Sequence, residues 1–462
     1  MNYGRVWMKR SCVFSFIAVL ILGGVRAVGQ PENQAADQNE AAVQPAPPEG
    51  EAQTVETKVD EPRKTHGPFD LDYKYMTGDW GGTRTELEDL GVTIKLTLMN
   101  QIMVNVHGGL ETENGHDTAG SYEVDFYFDM EKLLGIKGAT FWIRPKGTWG
   151  GDDSDFDKEK IGGLFKTNQD ASSEEPIFVD KWHWQQFFLD KKLEMRIGRQ
   201  EPVKDLFDTS KIIGHEDKYF LNQALVRNAT IPSDKGLGAF VRWKFTKHAY
   251  VSAAALDAQA EDRQTNFNTA FHDEDEFRFF FELGCKPELS SSKGPLWGHY
   301  RIGTWYDPTR RPKFRNTFDG LRQERFRGDI WGYYVGFDQM IWKENEGPDD
   351  AQGVAIAGRF GHANGEVSRI EDFWSFAGQY EGLIPGRDDD VLGVGVGQGI
   401  LADEYERVHR GADRETVYEL YYSIKLAPWL WISPDVQYIT NAGGDDPDND
   451  AFVAGLRVRM NL

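Results

Sequence analysis

Phe452-Val-Ala-Gly-Leu-Arg-Val-Arg-Met-Asn-Leu462 alternates apolar and polar side chains up to the last residue. Phe452, Ala454, Leu456, Val458, Met460 and Leu462 fall on one face of an extended segment, with Val453, Gly455, Arg457, Arg459 and Asn461 on the other. This follows because successive side chains of a strand point to opposite sides. A strand of about ten residues can cross a bilayer when tilted. Placed last, it is what a transmembrane β-barrel needs to close on its first strand. Taken alone, the segment reads equally well as an edge strand of a soluble sandwich.

The other end of the chain separates these readings. Arg5, Lys9 and Arg10 precede an apolar run from Cys12 to Leu22, and Val25 and Ala27 are spaced for cleavage after Ala27. Residues 1–27 therefore read as a signal peptide, and the mature chain is expected to leave the cytoplasm. The run is too short for a comfortable membrane helix. No other stretch approaches the roughly 18 uninterrupted apolar residues such a helix needs, so any membrane span must be made of strands. Cys12 leaves with the leader; Cys285 then stands alone, which excludes an intrachain disulfide.

Composition is compatible with such a barrel. A mean hydropathy of −0.56 and a formal charge of −22 look soluble, but a barrel hides its membrane band in alternate residues. The leader holds four cations (Arg5, Lys9, Arg10, Arg26) and no acid, so its removal takes the charge from −22 to −26. Nucleic acid is excluded as a partner for so acidic a chain. The 14 Trp, in a chain that is 13% aromatic, suit interfacial girdles or sugar stacking better than an ordinary core.

Residues 28–66 are rich in Gln, Glu, Ala and Pro. They cannot bury enough apolar surface to offset the entropy of ordering, and read as a disordered acidic linker. The barrel domain is expected over 67–462. It opens with the Gly-rich turn Thr77-Gly-Asp-Trp-Gly-Gly-Thr-Arg84 and a short helix, with Thr85 and Glu88 as a capping box and Gly91 as terminator. Period-two segments follow. Ile94, Leu96 and Leu98 mark the first strand; Val124, Phe126 and Phe128 the second; Phe141 and Ile143 the third. Leu193, Met195 and Ile197, then Leu237 to Phe245, then Phe277 to Cys285, obey the same rule, as do Tyr333 to Phe337 and Leu392 to Val396. Opposite that last face lie Gly393, Gly395, Gly397 and Gly399, leaving room for an inserted loop or merely making a flexible strand. The final hairpin, Val417–Leu426 and Leu430–Thr440, turns at Pro428. Long charged connections (Gly150–Asp180, Thr309–Gly328) alternate with tight turns, the asymmetry of an outer-membrane barrel.

Several of these stretches resemble the OprB-type carbohydrate-selective porins: Thr77 to Arg84 with Leu87 and Gly91, Arg196-Ile-Gly-Arg-Gln200, Tyr418 to Tyr422 running into Pro428-Trp-Leu430, Pro434 to Ile439, and Asn441-Ala-Gly-Gly444. The resemblance spans roughly Phe69 to Leu462. It implies an all-β, antiparallel transmembrane barrel of about sixteen strands in the cell outer membrane, through which small sugars diffuse. Ala442 stands where the family often has Pro. The chain ends in Leu462 where such barrels commonly end in Phe, so recognition by the barrel assembly machinery would rest on a variant signal.

A sugar is neutral, rich in hydroxyls and apolar on its ring faces, so a pore that prefers it should offer aromatic surface and paired charges. The strand faces nominate Glu123, Asp125, Trp142, Arg144, Lys146, Glu194 and Arg196 as pore-lining residues. Trp142 reads alternatively as a girdle aromatic. The acidic runs Asp152, Asp153, Asp155, Asp157 and Asp445, Asp446, Asp448, Asp450 lack EF-hand spacing and read as solvated loop acidity, as does His272–Glu276. No catalytic, metal or cofactor motif is present. Expected partners are small sugars, outer-membrane lipid and the assembly machinery, in a monomer or a homotrimer. A general or anion-selective porin is the neighbouring reading, and a secreted glycan-binding or glycan-cleaving all-β protein the distant one.

Overall fold

The computed structural model describes residues 65–462 except 151–155, 170–174, 215–218, 268–275, 315–325, 348–349, 410–412 and 445–447. The leader and most of the linker lie outside the described residues, as do Asp152, Asp153, Asp155, Asp445, Asp446 and most of the His272 turn.

Among the described residues, sixteen long antiparallel strands form one closed sheet: β1 (Val92–Gly108), β2 (His116–Asp129), β3 (Ala139–Trp149), β4 (Phe178–Phe188), β5 (Leu193–Gln200), β6 (Gly236–Lys244), β7 (Ala249–Asp257), β8 (Phe277–Cys285), β9 (Gly294–Asp307), β10 (Ile330–Lys343), β11 (Gly353–Ala363), β12 (Ile370–Glu381), β13 (Val391–Leu401), β14 (Arg414–Ala427), β15 (Leu430–Thr440) and β16 (Ala451–Asn461), with the short strand Glu288–Ser291 paired to the start of β9. Each pairs with its sequence neighbour, and β1 closes on β16 with Leu98 opposite Met460 and Ile102 opposite Leu456. Closure removes every sheet edge, which hydrocarbon would otherwise leave without hydrogen-bond partners.

The period-two pattern sets the faces. Ile197, Phe281, Val394, Leu456 and their neighbours point outward and are exposed, whereas Arg278, Glu282, Arg301 and Arg457 point inward and are buried. Outward aromatics gather towards the two strand ends. Tyr418, Tyr438 and Phe452 lie in register near one end, and Trp243, Phe245 and Trp342 lie near the other. Such rings suit the two water interfaces. A bulge between Met340 and Trp342 shifts the face of Trp342 relative to Val335.

Connections are short at one end, down to Pro428-Trp429 between β14 and β15, and long at the other, with 150–177 and 201–235 the longest. The short-turn end also holds both the N-terminal segment and Leu462. There helix α1 (Thr83–Leu90) starts after Gly82 with no side-chain cap, so the expected capping box is not the start: Thr85 already lies inside the helix. Gly91 does terminate it, at φ 102°. The Gly-rich motif acts as a buckle. Arg84 sits over the Tyr75 and Trp80 rings at 3.9 and 4.0 Å. It donates to the carbonyls of Ile94 and Leu462 and to the Thr77 hydroxyl, each at 3.2 Å.

Candidate functional site

Inward side chains of β2 to β5 build a polar wall from the register upward. Glu123 faces Lys146 across β2 and β3, and Lys146 Nζ lies 3.1 Å from its carboxylate. Arg144 is the hub: it reaches Glu123 at 2.8 Å and Asp125 at 2.7 Å. Asp125 also accepts from Trp142 Nε1 at 2.8 Å. On β5, Arg196 pairs with Glu194 at 2.6 Å, and Gln185 of β4 donates to the same carboxylate at 2.6 Å. The structure thus brings Glu123, Asp125, Trp142, Arg144 and Lys146 into one network and places Glu194 and Arg196 on a second, two strands further on.

Trp142 points inward and is not a girdle residue. Its ring is covered by His183, 4.9 Å between centroids, and by the Arg144 and Lys181 cations at 5.3 and 5.9 Å. Its one side-chain hydrogen bond shown is the donation to Asp125. Sequence reasoning missed Lys181, His183 and Gln185, because β4 begins at Phe178, inside the segment expected to be a loop up to Asp180. In β4 the aromatics Trp182 and Trp184 alternate with these polar groups, which is the signal that could have found it.

The opposite part of the interior is occupied. The connection 201–235 carries Val203, Leu206, Phe207, Ile212, Ile213, Phe220, Leu221 and Leu225, each at most 1% exposed. A connection this apolar has no stable place in water. It folds into the barrel, where Phe207 packs on Phe240 and Phe280, 5.7 and 5.4 Å between ring centroids. The glycine stripe of β13 receives it: a Cβ at Gly397 would lie 2.8 Å from the Ala224 carbonyl oxygen and 2.9 Å from its Cβ. Here the strand leaves room for inserted backbone, as one of the two sequence readings required.

Charged groups of the wall hold this loop. Arg301 reaches Asp208 at 2.9 Å and Asp338 at 2.6 Å, and the Asp208 amide donates to Glu282 at 2.8 Å. Tyr250 and Tyr334 donate to the same carboxylate. Arg359 donates to the Ile213 carbonyl at 3.3 Å, Glu419 accepts from the Asn222 amide at 3.1 Å, and Asn222 bonds Gln437 at 2.9 Å. The 150–177 connection joins in: Phe156, Ile161 and Phe165 pack beside Met103, Val417, Ile439 and Val453, and Glu415 accepts from the Phe165 amide at 3.1 Å.

The inner face of β16 meets inserted chain, and one expectation about loop acidity is corrected. The inner face of β16 does not line open water, since Val453 is fully buried and Arg457 donates to the Tyr219 carbonyl at 2.7 Å. Asp157 is not solvated: it is buried and accepts from the Thr167 amide and hydroxyl at 2.9 and 2.8 Å. Asp448 is exposed and Asp450 half-buried, the latter accepting from the Tyr438 hydroxyl at 2.6 Å, in keeping with loop acidity near solvent. Among the described residues there is no cluster of three or more His, Cys, Asp or Glu suited to a metal ion.

At the junction of wall and loop, Lys181 reaches Glu201 at 3.2 Å and Asp205 at 2.8 Å. Burial alone would raise the Glu201 carboxyl, but Lys204, Lys181, Lys235 and Arg227 together hold it well below the ordinary range.

A closed sixteen-strand barrel with an apolar exterior, a charged inner wall and a loop folded into its lumen defines an outer-membrane porin. The chain belongs to the carbohydrate-selective porin, OprB family, whose sequence model matches residues 113–462. It is similar to Porin B of Pseudomonas aeruginosa, 23% identical over 434 residues that cover 85% of this chain and 92% of the relative. A putative porin, QuiX, of Acinetobacter baylyi is also 23% identical, over 85% of this chain and 94% of its own. The high-pH structure of Pseudomonas putida OprB superposes with a TM-score of 0.76 at 20% identity, covering 86% of this chain and all of that one. The protein is an outer-membrane porin through which small carbohydrates diffuse.

Proposed function

We propose that Glu123, Asp125, Trp142, Arg144, Lys146, Glu194 and Arg196, joined by Lys181, His183 and Gln185, line the narrow part of the sugar pathway, with the inserted loop as the facing bank. The observation that supports this is the pairing of charges. Arg144, Lys146 and Arg196 stand against Glu123, Asp125 and Glu194, every cation within 3.1 Å of a carboxylate. These six groups offer donors and acceptors together with no net charge, and the added Lys181 is matched by Glu201 and Asp205 of the inserted connection. A neutral polyol can exchange its water for both kinds of partner, and the planar Arg fork can bridge two hydroxyls. An anion-selective channel would present cations in excess.

The protein acts as a channel without chemistry of its own. Glu123 and Asp125 both hold Arg144 instead of flanking open space as a hydrolytic pair must. Outer-membrane lipid surrounds the barrel, the assembly machinery inserts it, and the barrel works as a monomer or within a homotrimer. Residues 1–27 serve as export leader and 28–66 as linker to the barrel domain 67–462.

Arg144→Ala tests the reading in proteoliposomes. Removing one cation leaves the six paired groups net negative, so the reversal potential in a salt gradient should shift towards cations while swelling rates with monosaccharides change. If both measurements match the unaltered protein, Arg144 does not face the pathway.

A further inference from the structure

At its short-turn end the lumen carries cations that the fold has not paired. On the wall of β2 to β5, Arg144, Lys146, Lys181 and Arg196 each touch a carboxylate. Four others gather across β6 to β9 and the inserted connection: Lys211, Arg242, Lys244 and Lys286. Among the described residues none of these four forms an ion pair.

Strand parity places them inside. Arg242 and Lys244 follow the buried Phe240 at intervals of two on β6, and lie opposite Ser252 and Tyr250 of β7, both of them buried. Lys286 continues the inner face of β8 from Glu282 and Gly284. The Tyr250 ring is the meeting point: the Arg242 guanidinium stands 4.9 Å and the Lys286 ammonium 5.7 Å from its centroid, both within reach of the ring's electron-rich face. Lys211 arrives from the 201–235 connection and lies 4.2 Å from the Trp297 ring. Trp297 precedes by two residues His299, whose ring centroid is 5.9 Å from that of Tyr250.

The neighbouring carboxylates are already engaged. Glu282 accepts from the Tyr250 and Tyr334 hydroxyls and the Asp208 amide. Glu194, opposite Arg242 on β5, is held by Arg196 and Gln185. Arg242 is fixed in place, donating through Nε to the Ser252 hydroxyl at 2.9 Å and through Nη2 to the Leu206 carbonyl at 2.6 Å. Its Nη1 has no partner among the described residues, and Lys211, Lys244 and Lys286 are exposed. Repulsion within the group is felt at Lys286: partial desolvation lowers its ammonium from the ordinary value, and Arg242, Lys244 and Lys211 lower it further, with Glu282 opposing. Like charges collected in a low-dielectric mouth focus a positive potential. An anion seated among them removes the repulsion that the fold leaves standing.

We infer that this cluster binds the anionic group of an acidic sugar, a carboxylate or a phosphate, at the short-turn mouth of the lumen. Small carbohydrates are the solutes that reach this mouth, so the ligand class is a carbohydrate carrying an oxyanion. Lys211, Lys244 and Lys286 offer mobile ammonium donors, and the Arg242 Nη1 donates from the wall. The site is separate from the paired wall of β2 to β5, whose balanced charges suit a neutral solute, and does not rest on that reading.

Single mature porins in a planar bilayer test the assignment, at about 0.1 M salt so that screening stays moderate. Glucuronate and glucose 6-phosphate, added on the short-turn side, should reduce the ionic current to a plateau at concentrations roughly tenfold below those at which glucose acts. Lys244→Gln with Lys286→Gln should erase that advantage while the response to glucose stays that of the unaltered barrel, which also reports that the variant is folded. Lys137→Gln, on the distant turn between β2 and β3, should preserve it. A larger advantage for glucose 6-phosphate would mark phosphate as the preferred group, and one for glucuronate the carboxylate; either supports the site. Acidic sugars no more effective than glucose would overturn it, as would an advantage that survives the double substitution or falls equally with Lys137→Gln.

Discussion

Arg144 and Arg301 are both inward-facing arginines, each bound to two carboxylates, yet they sit in different surroundings. The Arg144 side chain keeps 20% of its surface exposed; that of Arg301 keeps none. The difference is the loop. Around Arg301 the 201–235 connection has been laid over the wall, and Asp208 of that connection is one of its two partners. Around Arg144 both carboxylates come from β2, and the network still meets open space. Position on the inner face of a strand therefore does not decide whether a charge meets the solute or serves as an anchor.

The comparison breaks most sharply at Arg301. Arg301→Ala leaves the buried Asp208 with the more distant Arg359, at 3.4 Å, and Asp338 with the Ser210 hydroxyl, and losing one partner of a buried ion pair costs about 3–5 kcal/mol. Thermal melting of the detergent-folded barrel should fall clearly, with conductance becoming noisy as the loop loses its seat. A melting transition equal to that of the unaltered protein would show that this network does not pin the loop.

A smaller effect is expected at the glycine stripe. Gly397→Leu drives a side chain against the Ala224 backbone, which has no flexible end to move aside, and overpacking of this kind costs about 1–3 kcal/mol. The loop should lift from β13 and single-channel conductance should rise. A folded variant with unaltered conductance would mean that the loop seat lies elsewhere.

The smallest effect concerns acid. Glu201 stays ionised because its cationic neighbours outweigh burial, so its folded-state pKa lies below the ~4.3 of an unfolded Glu. A depressed carboxylate contributes stability above the unfolded value and loses it as pH falls through the folded value. The melting difference between the unaltered protein and Glu201→Gln should therefore stay constant from pH 8 to 5 and shrink only in stronger acid. A difference that changes across the neutral range would remove Glu201 from the junction.

Much of this protein was legible without coordinates. The period of two in Phe277 to Cys285 or Leu237 to Phe245 states which side meets hydrocarbon, because a strand in a membrane has only two faces and one of them must be apolar. The Glu123, Asp125, Arg144, Lys146 network was legible for the same reason, once β2 and β3 were read as a hairpin. The connection 201–235 was not: its apolar clusters, Leu206-Phe207, Ile212-Ile213 and Phe220-Leu221, have no helical or strand period, and their partners lie scattered over β6 to β16. Only the glycines of β13 hinted that something would lie on them.

Local alternation thus determined the class of fold, the closing pair β1 and β16, and the inward direction of each charge, since these follow from backbone geometry and the apolar solvent outside. The tertiary structure alone decided which inward charges remain accessible. That choice depends on where a long apolar loop finds enough surface to bury itself, a sum over contacts distant in sequence that no local pattern encodes.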